Sequence, residues 1–341
     1  MTAASGLAMR PTVQPPCPPP NSVLSRTAMK TLPEAFRPFD ARMLHVGDGH
    51  WIYVEEVGRR GGRPIAFLHG GPGSGSQHLH RTLFDPARDH IFLIDQRGAG
   101  RSHPYLSRDA NTTAHLVSDL EAIREHFDIA KWLLVGGSWG STLALAYAEK
   151  HPERIAGLVL RAIFLGTAEE VEWAFLEGPK IFRPELYADF RDWLAPAERP
   201  DPLQAYVNRL CNPDPNVHTL PALRWFAYER ALSEIAAKPG TLPAEVDAAS
   251  RLPPTPFVEA HYIRNNFFLE PGQLLRDARN LAGIPGRIVQ GRYDLLCPPR
   301  TANALASAWP DARLEFIETA GHAMSDPGVM DAMRHAISEI A

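Results

Sequence analysis

The stretch from Leu133 to Ala148, LLVGGSWGSTLALAYA, constrains the fold more than any other. An apolar run from Trp132 to Val135 meets Gly136-Gly137-Ser138-Trp139-Gly140, and a segment rich in Ala and Leu follows at once. This order predicts a strand, a sharp turn carrying Ser138 and a helix, the G-x-S-x-G nucleophile elbow. Glycines beside the serine let strand and helix pack more closely than any Cβ would allow. The new helix then points free N–H groups and a partial positive charge at the turn, where an oxyanion could form.

An elbow of this kind needs neighbouring parallel strands, and the chain supplies them. Met43 to Val46 and Trp51 to Val54, joined by Gly47-Asp48-Gly49, read as a β-hairpin. Pro64 to Leu68 and His90 to Ile94 read as short buried strands. Asn111, Thr112 and Thr113 offer an N-cap to a helix with Leu116, Leu120, Ile123 and Phe127 on one face. After the elbow come a strand at Ile155 to Leu160 and, much later, strands at Arg287 to Gly291 and Leu314 to Ile317, each followed by a helical pattern. The expected fold class is α/β, a mostly parallel central sheet with helices on both faces. Between about residues 167 and 275 the strand rhythm stops and aromatic, Glu- and Arg-rich helical patterns take over, so a helical cap is expected to split the core into residues 34–166 and 276–341. Residues 1–33 hold the run PTVQPPCPPP and no acidic side chain, and read as a disordered extension.

Composition narrows the function classes. A formal net charge of -4 carries no nucleic-acid or polybasic membrane signature, and no apolar run approaches a bilayer span. Three scattered cysteines argue against a disulfide framework and for a reducing, cytoplasmic setting. Small-molecule or peptide substrates are the default.

A serine hydroxyl needs a base to take its proton and an acid to orient that base. The chain order after an elbow is acid, then histidine. Asp294 follows the strand ending at Gly291, and His322 follows the last strand within Ala320-Gly321-His322. Both positions lie at strand C-terminal ends, where open α/β sheets place their sites. The backbone N–H of Trp139 and one from the loop His69-Gly70-Gly71-Pro72-Gly73, assigned to Gly71, are the expected oxyanion donors. That loop lacks both the GK[ST] ending and the G-x-G-x-x-G spacing of phosphate cradles. His78-Leu79-His80 has no metal-binding spacing and reads as a surface loop, while Arg97 and Arg101 read as braces of the site loop.

Together, HGGPG at His69 to Gly73, DQRGAGRS at Asp95 to Ser102, GGSWGSTLALAYA at Gly136 to Ala148, GRYDLLCP at Gly291 to Pro298 and AGH at Ala320 to His322 resemble the proline iminopeptidases (prolyl aminopeptidases) of the α/β-hydrolase superfamily. The resemblance implies an α/β-hydrolase fold and release of N-terminal proline through an acyl-enzyme on Ser138, without metal or cofactor. It also implies substrate-recognition glutamates in the cap, Glu229 in WFAYERA and Glu259 in VEAHYIRNNFF, that receive a free N-terminal amine. Phe164 matches a position beside the prolyl ring, and Cys297 a cysteine near the pocket. Ala99, Ser74, Ala174 and Ile263 depart from the family pattern, the last two where aromatic residues are common, which bears on the shape of the ring pocket. Fold and triad do not fix the acyl group, so an esterase, lactonase or amino-acid amidase is the nearest alternative, and a non-catalytic binding protein the alternative of another class.

Overall fold

A computed structural model describes residues 33–235, 241–247 and 252–340. The expected disorder of residues 1–33 therefore falls, Pro33 apart, outside the described residues.

Eight strands form one sheet: β1 (Pro38–Gly47), β2 (His50–Gly58), β3 (Arg63–Leu68), β4 (Asp89–Asp95), β5 (Trp132–Ser138), β6 (Ile155–Ile163), β7 (Gly286–Gly291) and β8 (Ala312–Ile317). Their spatial order is β1-β2-β4-β3-β5-β6-β7-β8. β2 pairs antiparallel with β1 and with β4, and all the other pairings are parallel. The hairpin is longer than its sequence signal, and its turn holds Gly47, Asp48 and Gly49 at positive φ.

Side chains of β3 and β5 alternate between the two faces as a period of two requires. Ala66, Leu68, Trp132 and Leu134 join one apolar cluster, whereas Ile65, Phe67, Leu133 and Val135 join the other. The first cluster is completed by helices α1 (Thr113–His126) and α2 (Trp139–Lys150), the second by the terminal helix, α11 below. Thr112 caps α1 by accepting a hydrogen bond from the His115 N–H, as its side chain predicts.

Between β6 and β7 every described helix or strand is helical: α3 (Ala168–Glu172), a π turn (Trp173–Glu177), α4 (Gly178–Phe182), α5 (Pro184–Asp192), α6 (Pro202–Leu210), α7 (Pro215–Ser233), α8 (Thr255–Arg264) and α9 (Gln273–Asp277), with short 3₁₀ turns. α7 is held by an aromatic stack in which the Phe190 ring lies 4.0 Å from Tyr206 and 4.1 Å from Tyr228. Buried Arg224 adds bonds to the Tyr206 hydroxyl at 3.1 Å and Asp189 Oδ1 at 2.7 Å. The chain ends with α10 (Pro299–Ala308), β8 and α11 (Val329–Glu339).

The parallel strands all point the same way, so the chain leaves β3, β4, β5, β7 and β8 at one edge of the sheet, where loops from five distant segments meet. Beneath the elbow the closest approach is at Gly140. A Cβ on Gly140 would meet the Leu68 carbonyl oxygen at 2.2 Å, and one on Gly136 would meet the Gly140 carbonyl oxygen at 2.4 Å. Both obstacles are backbone and cannot rotate away. Gly140→Ala is therefore expected to destabilise the fold by about 1–3 kcal/mol, the overpacking range, read as a fall of several degrees in Tm; an unchanged melt would show that α2 and β3 are not locked together here.

Candidate active site

Ser138 takes φ 56°, ψ -127°, a left-handed conformation that a non-glycine residue holds only when its surroundings over-determine it. The Ser141 hydroxyl donates to the Ser138 carbonyl at 2.7 Å, fixing the first turn of α2 beneath it. The Trp139 indole donates to Gln96 Oε1 at 2.8 Å. Gln96 in turn donates its side-chain amide to the His69 carbonyl at 2.9 Å and its backbone N–H to His69 Nε2 at 3.0 Å. Since Nε2 accepts, the proton of this imidazole sits on Nδ1, which donates to the Gly70 carbonyl at 2.9 Å. One chain of bonds thus ties the elbow, the loop after β4 and the glycine loop after β3. That loop packs on the serine: a Cβ on Gly70 would lie 3.5 Å from the Ser138 Cβ. Gly71, at φ +110°, lines the cavities around Ser138.

The expected acid and base meet. His322 Nδ1 lies 3.0 Å from both Asp294 oxygens. Asp294 also receives the backbone N–H groups of Leu296 at 3.1 Å and Cys297 at 2.8 Å, and the Gln290 amide at 3.3 Å. Gln290 completes the brace by accepting from the Ile163 N–H at 3.2 Å. The two loops touch directly, because a Cβ on Gly291 would meet the Gly321 carbonyl at 2.1 Å. With Nδ1 turned to the carboxylate, Nε2 of His322 is left to accept a proton, and Ser138 and His322 line the same cavity. Asp294, Cys297 and His322 also form a group whose ligand atoms lie within 4.8 Å of one another, the one such candidate metal cluster among the described residues. Its carboxylate is already committed to the donors named above. Burial holds the Cys297 thiol protonated, its pKa well above the ordinary value, so it packs beside Ser138 rather than competing as a nucleophile.

Two cavities meet at Ser138. The first is a narrow slot of 30 Å³ walled by Phe164, Ala174, Phe175, Ile263, Phe267 and Cys297, with Glu229 and Glu259 at its polar end. The two positions that depart from the family pattern, Ala174 and Ile263, are thus slot walls, and three phenylalanines keep the slot aromatic. Phe164 is set by its backbone, which accepts from Thr142 at 2.6 Å and donates to Ser141 at 3.2 Å. Phe267 sits within a run of three left-handed residues, Asn266, Phe267 and Phe268, with φ of 49°, 54° and 53°. The second cavity, of 260 Å³, is polar and shares Gly71, Ser138 and Leu296 with the slot. Glu229 lines both.

Neither glutamate is a solvated surface residue. Burial pushes Glu229 up to about 7, with His322 opposing. Burial and then the nearby Glu229 charge push Glu259 higher, against the Trp225 indole, which donates to Glu259 Oε2 at 2.6 Å. Two neighbouring carboxyls whose charged forms are disfavoured by burial and by each other would be relieved by a cation placed between them.

Arg97 chelates Asp119 through Nε and NH2 at 2.7 Å each, and Arg101 holds Asp95 at 2.7 Å and Glu55 at 2.8 Å, so both brace the loop as expected. His78-Leu79-His80 is a correction. The segment forms a 3₁₀ turn, and the His80 ring packs 4.3 Å from Phe67 and lines the polar cavity, with burial lowering its pKa to about 3. Gln96, Gln290, Trp225, Phe175 and Phe267 carry no sequence signal of their own, since only the fold brings them to the site.

The model of the alpha/beta hydrolase fold family matches residues 63–328. An esterase from Rhodococcus sp. ECU1013 superposes with a TM-score of 0.54 at 19% identity over 88% of this chain and 99% of its own. A proline iminopeptidase from Mycobacterium smegmatis does so with 0.56 at 17% over 88% and 97%. At that identity both likenesses speak to the fold alone. Sequence separates what shape does not: a probable proline iminopeptidase of Leptolyngbya boryana is 40% identical over 312 residues, 89% of this chain and 95% of that protein. At that identity over nearly the whole of both proteins, the chain belongs to the proline iminopeptidase family of α/β-hydrolases.

Proposed function

We propose that the protein is a serine aminopeptidase that releases N-terminal proline from peptides, with Ser138 as nucleophile, His322 as general base, Asp294 as its orienting acid and the N–H groups of Trp139 and Gly71 as oxyanion donors. Residues 167–275 serve as a cap over the core, the substrate is a peptide with a free N-terminal amine, and the setting is the reducing cytoplasm. No helix among the described residues is long and apolar enough to cross a membrane, and Cys211 and Cys297 are unpaired. The observation that carries the reading is the pair of buried carboxylates, Glu229 and Glu259, at the polar end of an apolar slot that opens on the elbow serine.

In this scheme His322 Nε2 takes the Ser138 proton as Oγ attacks the prolyl carbonyl. The collapsing tetrahedral intermediate returns that proton to the leaving nitrogen, and a water activated by the same imidazole hydrolyses the prolyl ester. The ring fills the slot and its ammonium meets the carboxylates. A prolyl ammonium has two N–H donors for two carboxylates, whereas a primary ammonium would bring a third into an apolar wall. An esterase would have no use for these acids, which weaken the fold.

Ser138→Ala should cut prolyl-arylamide kcat by about 10⁴-fold or more. Glu229→Gln and Glu259→Gln should each lower kcat/KM by roughly 10- to 100-fold, the worth of a charge-assisted hydrogen bond. N-acetylprolyl arylamide should be inert and alanyl arylamide clearly poorer than prolyl; unimpaired turnover by the glutamate variants would refute the recognition scheme. The pH profile of kcat/KM should fall on the acid side through about 7 as Glu229 protonates, and above about 8 as the substrate α-amine loses its charge. A bound cation opposes protonation of Glu229, so the acid limb of kcat should lie lower than that of kcat/KM. Stability follows the same group. Its carboxyl holds a proton in the folded state that the unfolded chain releases between the ordinary 4.5 and about 7, so stability drains away as pH rises through that window. Glu229→Gln should therefore melt roughly 2–6 °C higher than the parent at pH 8 and about equally at pH 4.

A further inference from the structure

We propose that the polar cavity that shares Ser138 with the slot is a carboxylate-reading subsite, in which Arg161 and Arg230 bind the free C-terminus of the leaving amino acid or dipeptide. The inference rests on the aminopeptidase reading and adds a substrate class to it: Pro-Xaa dipeptides and tripeptides with a free carboxylate.

The direction of the substrate follows from the two cavities. An ammonium held between Glu229 and Glu259 puts the ring in the slot and the scissile carbonyl at Ser138, so everything beyond that bond must enter the polar cavity. Its lining differs sharply in charge from the slot. Arg161 comes from β6 and Arg230 from α7, while Glu229, engaged by the amine, is the one acid there. The histidines that line it are His69, His80 and His322, and burial keeps the first two neutral.

Arg161 is the unexplained group. β6 is otherwise apolar around it, with Leu158, Leu160, Ala162 and Ile163 all buried. Its NH1 donates to the His322 carbonyl, and its Nε and NH2 lie against Gly137, where a Cβ would meet each at 3.0 Å. Nε is buried without any hydrogen-bond partner, and among the described residues no carboxylate forms an ion pair with this guanidinium; Asp294 and Asp326 act on it only from a distance. A cation withdrawn from water without a direct counterion is costly, and an anionic ligand would neutralise it. Arg230, next in the chain to Glu229, has a side chain 65% exposed and a single weak tie to Glu234 at 3.3 Å, so it can turn to the same ligand. The carboxylate of a dipeptide stands on the carbon beside the leaving nitrogen, and that of a tripeptide one residue further, roughly 3.5 Å away. Longer peptides carry no charge at either distance.

The test compares Pro-Ala with Pro-Ala amide, and uses proline p-nitroanilide to report turnover itself. The intact enzyme should favour the free acid in kcat/KM by about tenfold or more, and added NaCl should shrink that preference. Arg161→Gln should bring the acid-to-amide ratio close to one and Arg161→Lys should restore part of it. The ratio cancels any general loss from the altered His322 loop, and the comparison in the intact enzyme stands even where a variant does not fold. Equal rates on acid and amide, with the anilide turned over, would overturn the subsite alone, as would a ratio that survives Arg161→Gln. No turnover of any of the three would overturn the aminopeptidase reading and the subsite with it.

Discussion

The site depends on one close approach, that of α2 at Gly140 to the end of β3 at Leu68. Because no atom can come between those backbones, the serine at the start of α2 is pressed against the loop that leaves β3. The left-handed Ser138 is the conformational consequence. Its strain is held in place by bonds on either side, from Ser141 below and through Trp139, Gln96 and His69 across to the glycine loop. Pre-positioning of this kind matters because amides aimed at a developing oxyanion act with no reorganisation at the moment of reaction.

A second constraint works by charge. The two acids lie on α7 and α8, held there by Trp225, Tyr228 and the stacked rings behind them, in surroundings that favour neither carboxylate. Left empty, the slot is a source of instability, the usual cost of a site shaped for a charged ligand. A cation entering it regains what burial took away, and a neutral or blocked terminus does not. Discrimination of this sort comes from leaving buried groups unpaired, which rejects a wrong ligand far more strongly than a missing methylene in an apolar wall.

How far all this was legible in the chain depends on whether a feature is local. The elbow was readable because a strand, its glycines and a helix are contiguous, and Asp294 and His322 because each follows a strand that its apolar run announces. Gln96 and Gln290 were not readable: a glutamine after a strand looks like any other, and its meaning lies in partners such as Trp139, 43 positions away. His78-Leu79-His80 reads as a surface loop because its spacing fits no metal site, and only the fold brings Phe67 against the His80 ring. Glu229 and Glu259 came from family resemblance, since α7 and α8 are packed on several sides and no helical period marks the face that turns to the slot.

Phe267 shows why the rest required the fold. Three successive left-handed residues, two of them phenylalanines, oppose local preference, and a reading of NNFF by propensity gives no reason to expect them. The ring of Phe267 is nevertheless trapped between Phe164, 5.0 Å away, and Trp139 at 6.0 Å, so the wall of the slot is packed against the residue that follows the serine. Thr113 adds a hydrogen bond to the Phe267 carbonyl from the start of α1. Strain at Ser138 and strain at Phe267 are therefore balanced by one shared body of packing, and the slot and the nucleophile hold their shapes together. A change in one should be felt by the other.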